Sequence, residues 1–172
     1  MGYTTEFRGQ FDLNKKLDDE THAFLVKFNQ SRHVKRDIEG FGIEGEFFVD
    51  GEVDEWGVGG RQMSDATVVD YNRPPRTQPG LWCQWTPTDD RQGIEWDGNE
   101  KFYNYIEWIK YLTDKILEPK GYVLNGEVEW VGEEVFDDRG VIRIFDNYVS
   151  TETKIVLLVP CIMIRLRLVN QK

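Results

Sequence analysis

Histidine and cysteine are scarce: the 172-residue chain has two of each. His22 and His33 stand eleven positions apart, with no HExxH or CxxC spacing near them, so no zinc centre is expected. Cys83 and Cys161 both sit in apolar stretches without a spaced partner. Two thiols kept reduced point to a cytoplasmic protein. A GxSxG elbow is missing, and GVGGR (57–61) lacks the Lys-Ser/Thr ending of a phosphate loop. Long hydrophobic runs are missing too. The longest, IVLLVPCIMI (155–164), is interrupted by Pro160 and is too short to span a bilayer. The opening MGYTTEFRGQ has no apolar h-region, and Glu6 stands where a myristoylation signal wants Ser or Thr. Neither a secretory signal nor a membrane partner is expected.

Bases are locally absent. Residues 37–55 carry eight acids and no base, whereas 139–172 carry six bases and two acids. With a net charge of −10 the chain repels nucleic-acid phosphates, so direct nucleic-acid binding is not expected. The simple reading of 37–55 is a solvated loop face. A sharper one is a surface that engages a basic protein partner or mimics a polyanion. Glu44, Glu46, Asp50 and Asp54 are close enough in sequence to hold a weak divalent cation. The ligand loop of an EF-hand is absent, so structural acids are the expectation, with no metal and no cofactor.

Aromatic residues are plentiful: six Trp, seven Tyr and ten Phe. Residues 3–13 alternate, with Tyr3, Phe7, Phe11 and Leu13 on one side, which predicts a half-buried strand. Leu17, Thr21, Phe24, Leu25 and Phe28 then recur at helical spacing. They predict a helix from Asp19 to Arg32 with Asp18 as N-cap, and the basic RHVKR suits its end. GEFFVDG predicts a short strand at 46–49. GLWCQWTPT and GIEWDG flank DDRQG as a hairpin, with Leu81, Cys83 and Trp85 on one face and Trp82, Gln84 and Thr86 on the other. Phe102, Tyr105, Ile106, Ile109, Leu112, Ile116 and Leu117 predict a long helix over 100–118, with Asp97 and Glu100 as a capping box and Pro119 and Gly121 as its stop. GEVEWVG, GVIRIFDN and YVSTE read as strands, and residues 162–168 alternate as a last one. The whole predicts one α+β domain over 1–172, a mainly antiparallel sheet packed against two amphipathic helices.

At DYNRPPRTQPGLWCQWTPTDD, IEWDGNEKFYNYIEWIKYL and GYVLNGEVEW the sequence resembles a family of small bacterial and phage proteins. The resemblance runs from Gly2 to Val149. It implies no activity and no catalytic residues.

The stretch RTQPGLWCQW (76–85) is the expected site. Arg73 and Arg76 leave a loop stiffened by Pro74, Pro75 and Pro79, which leads into Trp82. Arginine with tryptophan is the pairing expected where a planar or anionic ligand stacks. Asp70, Tyr71, Asn72, Gln78 and Gln84 add polar groups. Across the hairpin, Glu95 and Asp97 share a face with them. The expected function is binding of a small anionic or nucleotide-like ligand, or of a protein partner. A carboxylate-dependent hydrolase built on Glu95 or Asp97 is an alternative, although both acids would come from one wall. The simpler reading is that Trp82 covers a second small core. Cys83 is read as a packing thiol.

Overall fold

The computed structural model describes residues 2–41, 47, 49, 66–133 and 138–153. In chain order the elements are β1 (Thr5–Arg8), β2 (Gln10–Leu13), α1 (Asp19–Gln30), β3 (Lys35–Arg36), the single turn α2 (Ile38–Phe41) and β4 (Val68–Asp70). They continue with β5 (Trp85–Pro87), β6 (Gly93–Trp96), α3 (Tyr105–Leu112), β7 (Leu124–Gly132), β8 (Arg139–Phe145) and β9 (Tyr148–Thr153). This is the α+β architecture expected. The main sheet runs β5-β6-β2-β7-β8-β9, with β1 also on β7, and its pairs are antiparallel. β3 and β4 form a small second sheet that the sequence reading did not include.

The opening alternation builds β1 and β2 in line, with Phe7 and Phe11 buried. Gly9 divides them at φ +105°, and a Cβ there would lie 2.9 Å from the Glu127 carbonyl oxygen. A strand that passes so close to its neighbour in that dihedral region needs glycine. Register against β7 continues through the break: Thr5 faces Gly132 and Leu13 faces Leu124.

α1 begins where its cap residue predicts. The Asp18 carboxylate accepts from the Thr21 amide at 2.7 Å, from the Thr21 hydroxyl at 2.9 Å and from the Tyr122 hydroxyl at 2.8 Å. These bonds, the backbone one foremost, hold its pKa at about 2. Leu25 and Phe28 form its buried side.

α3 corrects the expected 100–118 helix. Lys101 at φ 64° and Asn104 at φ 56° are left-handed, so no helix can run through them, and it starts at Tyr105. Asp97 therefore caps nothing. Its carboxylate accepts from the Asn99 amide and from Asn29 Nδ2, both at 2.8 Å. After Leu112 the helix widens into a π turn (Thr113–Leu117), tightens into a 3₁₀ turn (Glu118–Lys120) and ends at Gly121, φ 73°. Phe102, Ile109 and Ile116 are buried, and Ile106 is half-buried.

Sheet and helices share one core. Trp85 lies at its centre, edge-on to Phe7 at 5.3 Å, Phe11 at 5.5 Å and Phe102 at 5.4 Å, and its indole N–H donates to the Tyr105 carbonyl at 2.8 Å. The strand expected at 46–49 lies outside the described residues, except for Phe47 and Val49, which pack half-buried against this core. Also outside are most of the acidic tract, including Glu44, Glu46, Asp50 and Asp54, together with Cys161 and the final alternating run.

Candidate ligand cavity

The hairpin β5–β6 forms, but residues 81–84 approach it as extended loop rather than strand. Alternation still decides the two tryptophans. Cys83 and Trp85 are 0% and 1% exposed, whereas Trp82, of the opposite parity, is 37% exposed. Gln84 departs from its outward parity. Its Nε2 donates to the Glu100 carbonyl at 2.9 Å, and its Oε1 accepts from Trp96 Nε1 at 3.2 Å, so it is nearly buried.

Trp82 stands on the wall of a cavity of about 890 Å³. Asn29 and Gln30 at the end of α1 form one side, and the loop from Asn72 through Pro74, Pro79 and Gly80 forms another. The turn Asp97–Lys101 and the approach to α3, Tyr103 and Asn104, complete it. Side-chain bonds hold these walls together. Asn29 Nδ2 donates both to the Cys83 carbonyl at 3.0 Å and to Asp97 at 2.8 Å, and Asn104 Nδ2 donates to the Pro79 carbonyl at 2.7 Å. The proline-rich loop is also tied to the chain after α1. The His33 amide donates to the Leu81 carbonyl at 2.8 Å, and the Lys35 amide to that of Arg73 at 2.7 Å.

Of the residues expected here, Asn72, Trp82, Gln84 and Asp97 line the cavity. The others have different positions. Asp70 accepts from the Asn72 amide at 3.0 Å and pairs with Arg73 at 3.5 Å, so both shape the turn at the loop's start. Arg73 is 79% exposed, Arg76 is exposed, and neither lines the cavity. Gln78 points inward, with Nε2 at 3.4 Å from the Tyr111 hydroxyl. Glu95 sits inside the sheet opposite Thr86 and Gln10, away from the cavity.

The cation on Trp82 is Arg32, which the sequence reading passed over. Its guanidinium lies 4.3 Å from the centre of the Tyr71 ring and 5.6 Å from that of Trp82. Its Nε donates to the Tyr71 carbonyl at 3.2 Å. The RHVKR cluster suits the helix dipole, and nothing in local spacing marks which basic residue reaches across to residues 71 and 82. Tyr103 and Asn104 were missed because the expected helix covered them.

Comparison with protein families, with curated proteins and with solved structures returns no match.

The chemistry open to nearby groups is narrow. Burial pushes the Cys83 thiol far above the ordinary thiol range, so it does not supply a thiolate. His33 is packed against Phe28 at 4.2 Å and Trp108 at 5.0 Å, and burial lowers its pKa to about 3. Both Asp97 oxygens already accept hydrogen bonds. Among the described residues no cluster of His, Cys, Asp and Glu could hold a metal ion, and no helix is long and apolar enough to cross a membrane.

Proposed function

We propose that the protein is a binding domain that does no catalysis, acting in the cytoplasm and taking a small ligand in the cavity beside Trp82. One observation carries this reading: a large aromatic ring is kept 37% exposed on a cavity wall while Cys83, Gln84 and Trp85, which follow it, are buried. The Arg32 guanidinium, 5.6 Å from the centre of that ring, restrains it before any ligand arrives. The cavity volume falls within the roughly 300–1,000 Å³ typical of small-molecule sites. Two of the tracts on which the resemblance to bacterial and phage proteins rests, at 70–90 and 94–112, form most of the walls.

The paired tryptophans test it. Trp85→Ala removes the centre of the core and should cost ~3–5 kcal/mol. Trp82→Ala should leave the melting temperature nearly unchanged and abolish binding of whatever ligand a small-molecule thermal-shift screen finds. Equal, large stability losses from both variants, with no binder for the native protein, would mark Trp82 as core.

A further inference from the structure

Resting on that reading, we infer that the ligand is a neutral saccharide rather than an anion. The expectation of an anion came from Arg73 and Arg76, and neither lines the cavity. The wall carries one lysine, Lys101, against two carboxylates, Asp97 and Glu100. An anion would find no pair of cations to clamp it. A cation fits no better at the tryptophan, because Arg32 already stands on that ring and would repel a second positive charge across it.

The wall instead presents donors and acceptors together. α3 begins at Asn104 without a side-chain cap, so the first-turn amides have no partner from that side chain. Trp108 is fully buried and does not itself line the cavity, and its indole N–H has no protein hydrogen-bond partner. That nitrogen lies close to Gly80, which does line the cavity: a Cβ built at Gly80 would sit 3.4 Å from the nitrogen and 3.4 Å from Asn104 Nδ2. The lining also carries the Glu100 carboxylate and that of Asp97, whose oxygens each already accept one protein hydrogen bond and keep further lone pairs. A carboxylate or phosphate ligand only accepts, and an ammonium only donates, so each would leave half of this set unmatched. A hydroxyl donates once and accepts twice, which suits both halves.

The aromatic groups fit the same ligand. Trp82 and Tyr103, 37% and 53% exposed, offer flat apolar faces from opposite ends of the lining sequence. A pyranose ring has an apolar C–H face and a rim of hydroxyls, and so matches a wall with apolar faces and a polar border. The volume of about 890 Å³ has room for more than one ring, so a short oligosaccharide is the ligand class assigned.

The test is isothermal titration of the full chain with neutral trisaccharides: maltotriose, cellotriose, xylotriose, mannotriose and the β-1,4 trimer of N-acetylglucosamine. Adenosine, AMP, inorganic phosphate and spermidine serve as comparators. At least one trisaccharide should bind, with affinity changed by less than about twofold between about 50 and 500 mM sodium chloride, because no net charge is paired. Trp82→Ala and, independently, Tyr103→Ala should each weaken it by about tenfold or more. Two separate exposed positions keep the test valid if one variant folds poorly. Trp82-dependent binding of AMP, phosphate, adenosine or spermidine with no trisaccharide bound would overturn the saccharide assignment and leave the binding site standing. No binding by any probe would overturn both.

Discussion

His33 shows what burial of a single ring does to the whole protein's response to acid. In the folded chain its pKa is about 3, against an ordinary 6.5, because water cannot reach the protonated form between Phe28 and Trp108. Below pH 6.5 the unfolded chain takes up a proton that the folded chain refuses. The stability that goes with the neutral ring is therefore complete above about 6.5 and is lost as pH falls towards 3, by up to ~1.4 kcal/mol per pH unit. Asp18, held at about 2, adds its own loss only below 3.8, the usual carboxylate value. Urea denaturation at about pH 7, 5.5 and 4.5 should show the native protein weakening steadily and His33→Phe weakening much less. Parallel pH dependence in the two proteins would mean that His33 is protonated in the fold. At this scale strand parity read Trp82 and Trp85 correctly, since adjacent parities face opposite ways. It misread Gln84, whose bonds to the Glu100 carbonyl and the Trp96 indole draw it in against its parity. It had no means of finding Arg32, whose partners are 39 and 50 residues along the chain.

Two elements carry most of what places the cavity. α3 supplies the core side chains and, at its uncapped start, one wall. Ile109→Ala, at a fully buried position, should cost ~2–5 kcal/mol by chemical denaturation. Ile106→Ala, on the half-buried side of the same helix, should cost clearly less. A reversal of that order would place the buried stripe on the wrong side. The β1–β2 strand supplies Phe7 and Phe11 through a kink at Gly9. Gly9→Ala would force a Cβ to 2.9 Å from the Glu127 carbonyl in a dihedral region that alanine avoids. It should destabilise by at least ~1–2 kcal/mol, and an unchanged denaturation midpoint would show that the kink can relax. The apolar period of α3 was readable, and so was its stop at Gly121. Its beginning was not: Phe102 keeps the helical spacing and is buried, but it reaches the core from a loop between two left-handed residues. Spacing reports which side chains face inward, not which backbone delivers them.

At the scale of the molecule, period-two patterns announced strands but not their neighbours. That β2 lies between β6 and β7 follows from no local signal, yet it sets the hairpin so that the Asp97–Lys101 turn leaving it meets Asn29 at the end of α1, on the cavity wall. One stretch of the cavity wall was legible because proline, arginine and tryptophan cluster at 73–82. Its charge was not legible, because sequence proximity put Arg73 and Arg76 beside Trp82 and the fold turns them to solvent. The most direct check of the central claim, that the cavity beside Trp82 receives a ligand, is nuclear magnetic resonance of the six tryptophan indole N–H groups during titration with the neutral trisaccharides. The Trp82 signal should move saturably, while that of Trp85, bonded to the Tyr105 carbonyl, stays in place. A ligand that binds and leaves the Trp82 signal unmoved would contradict the account.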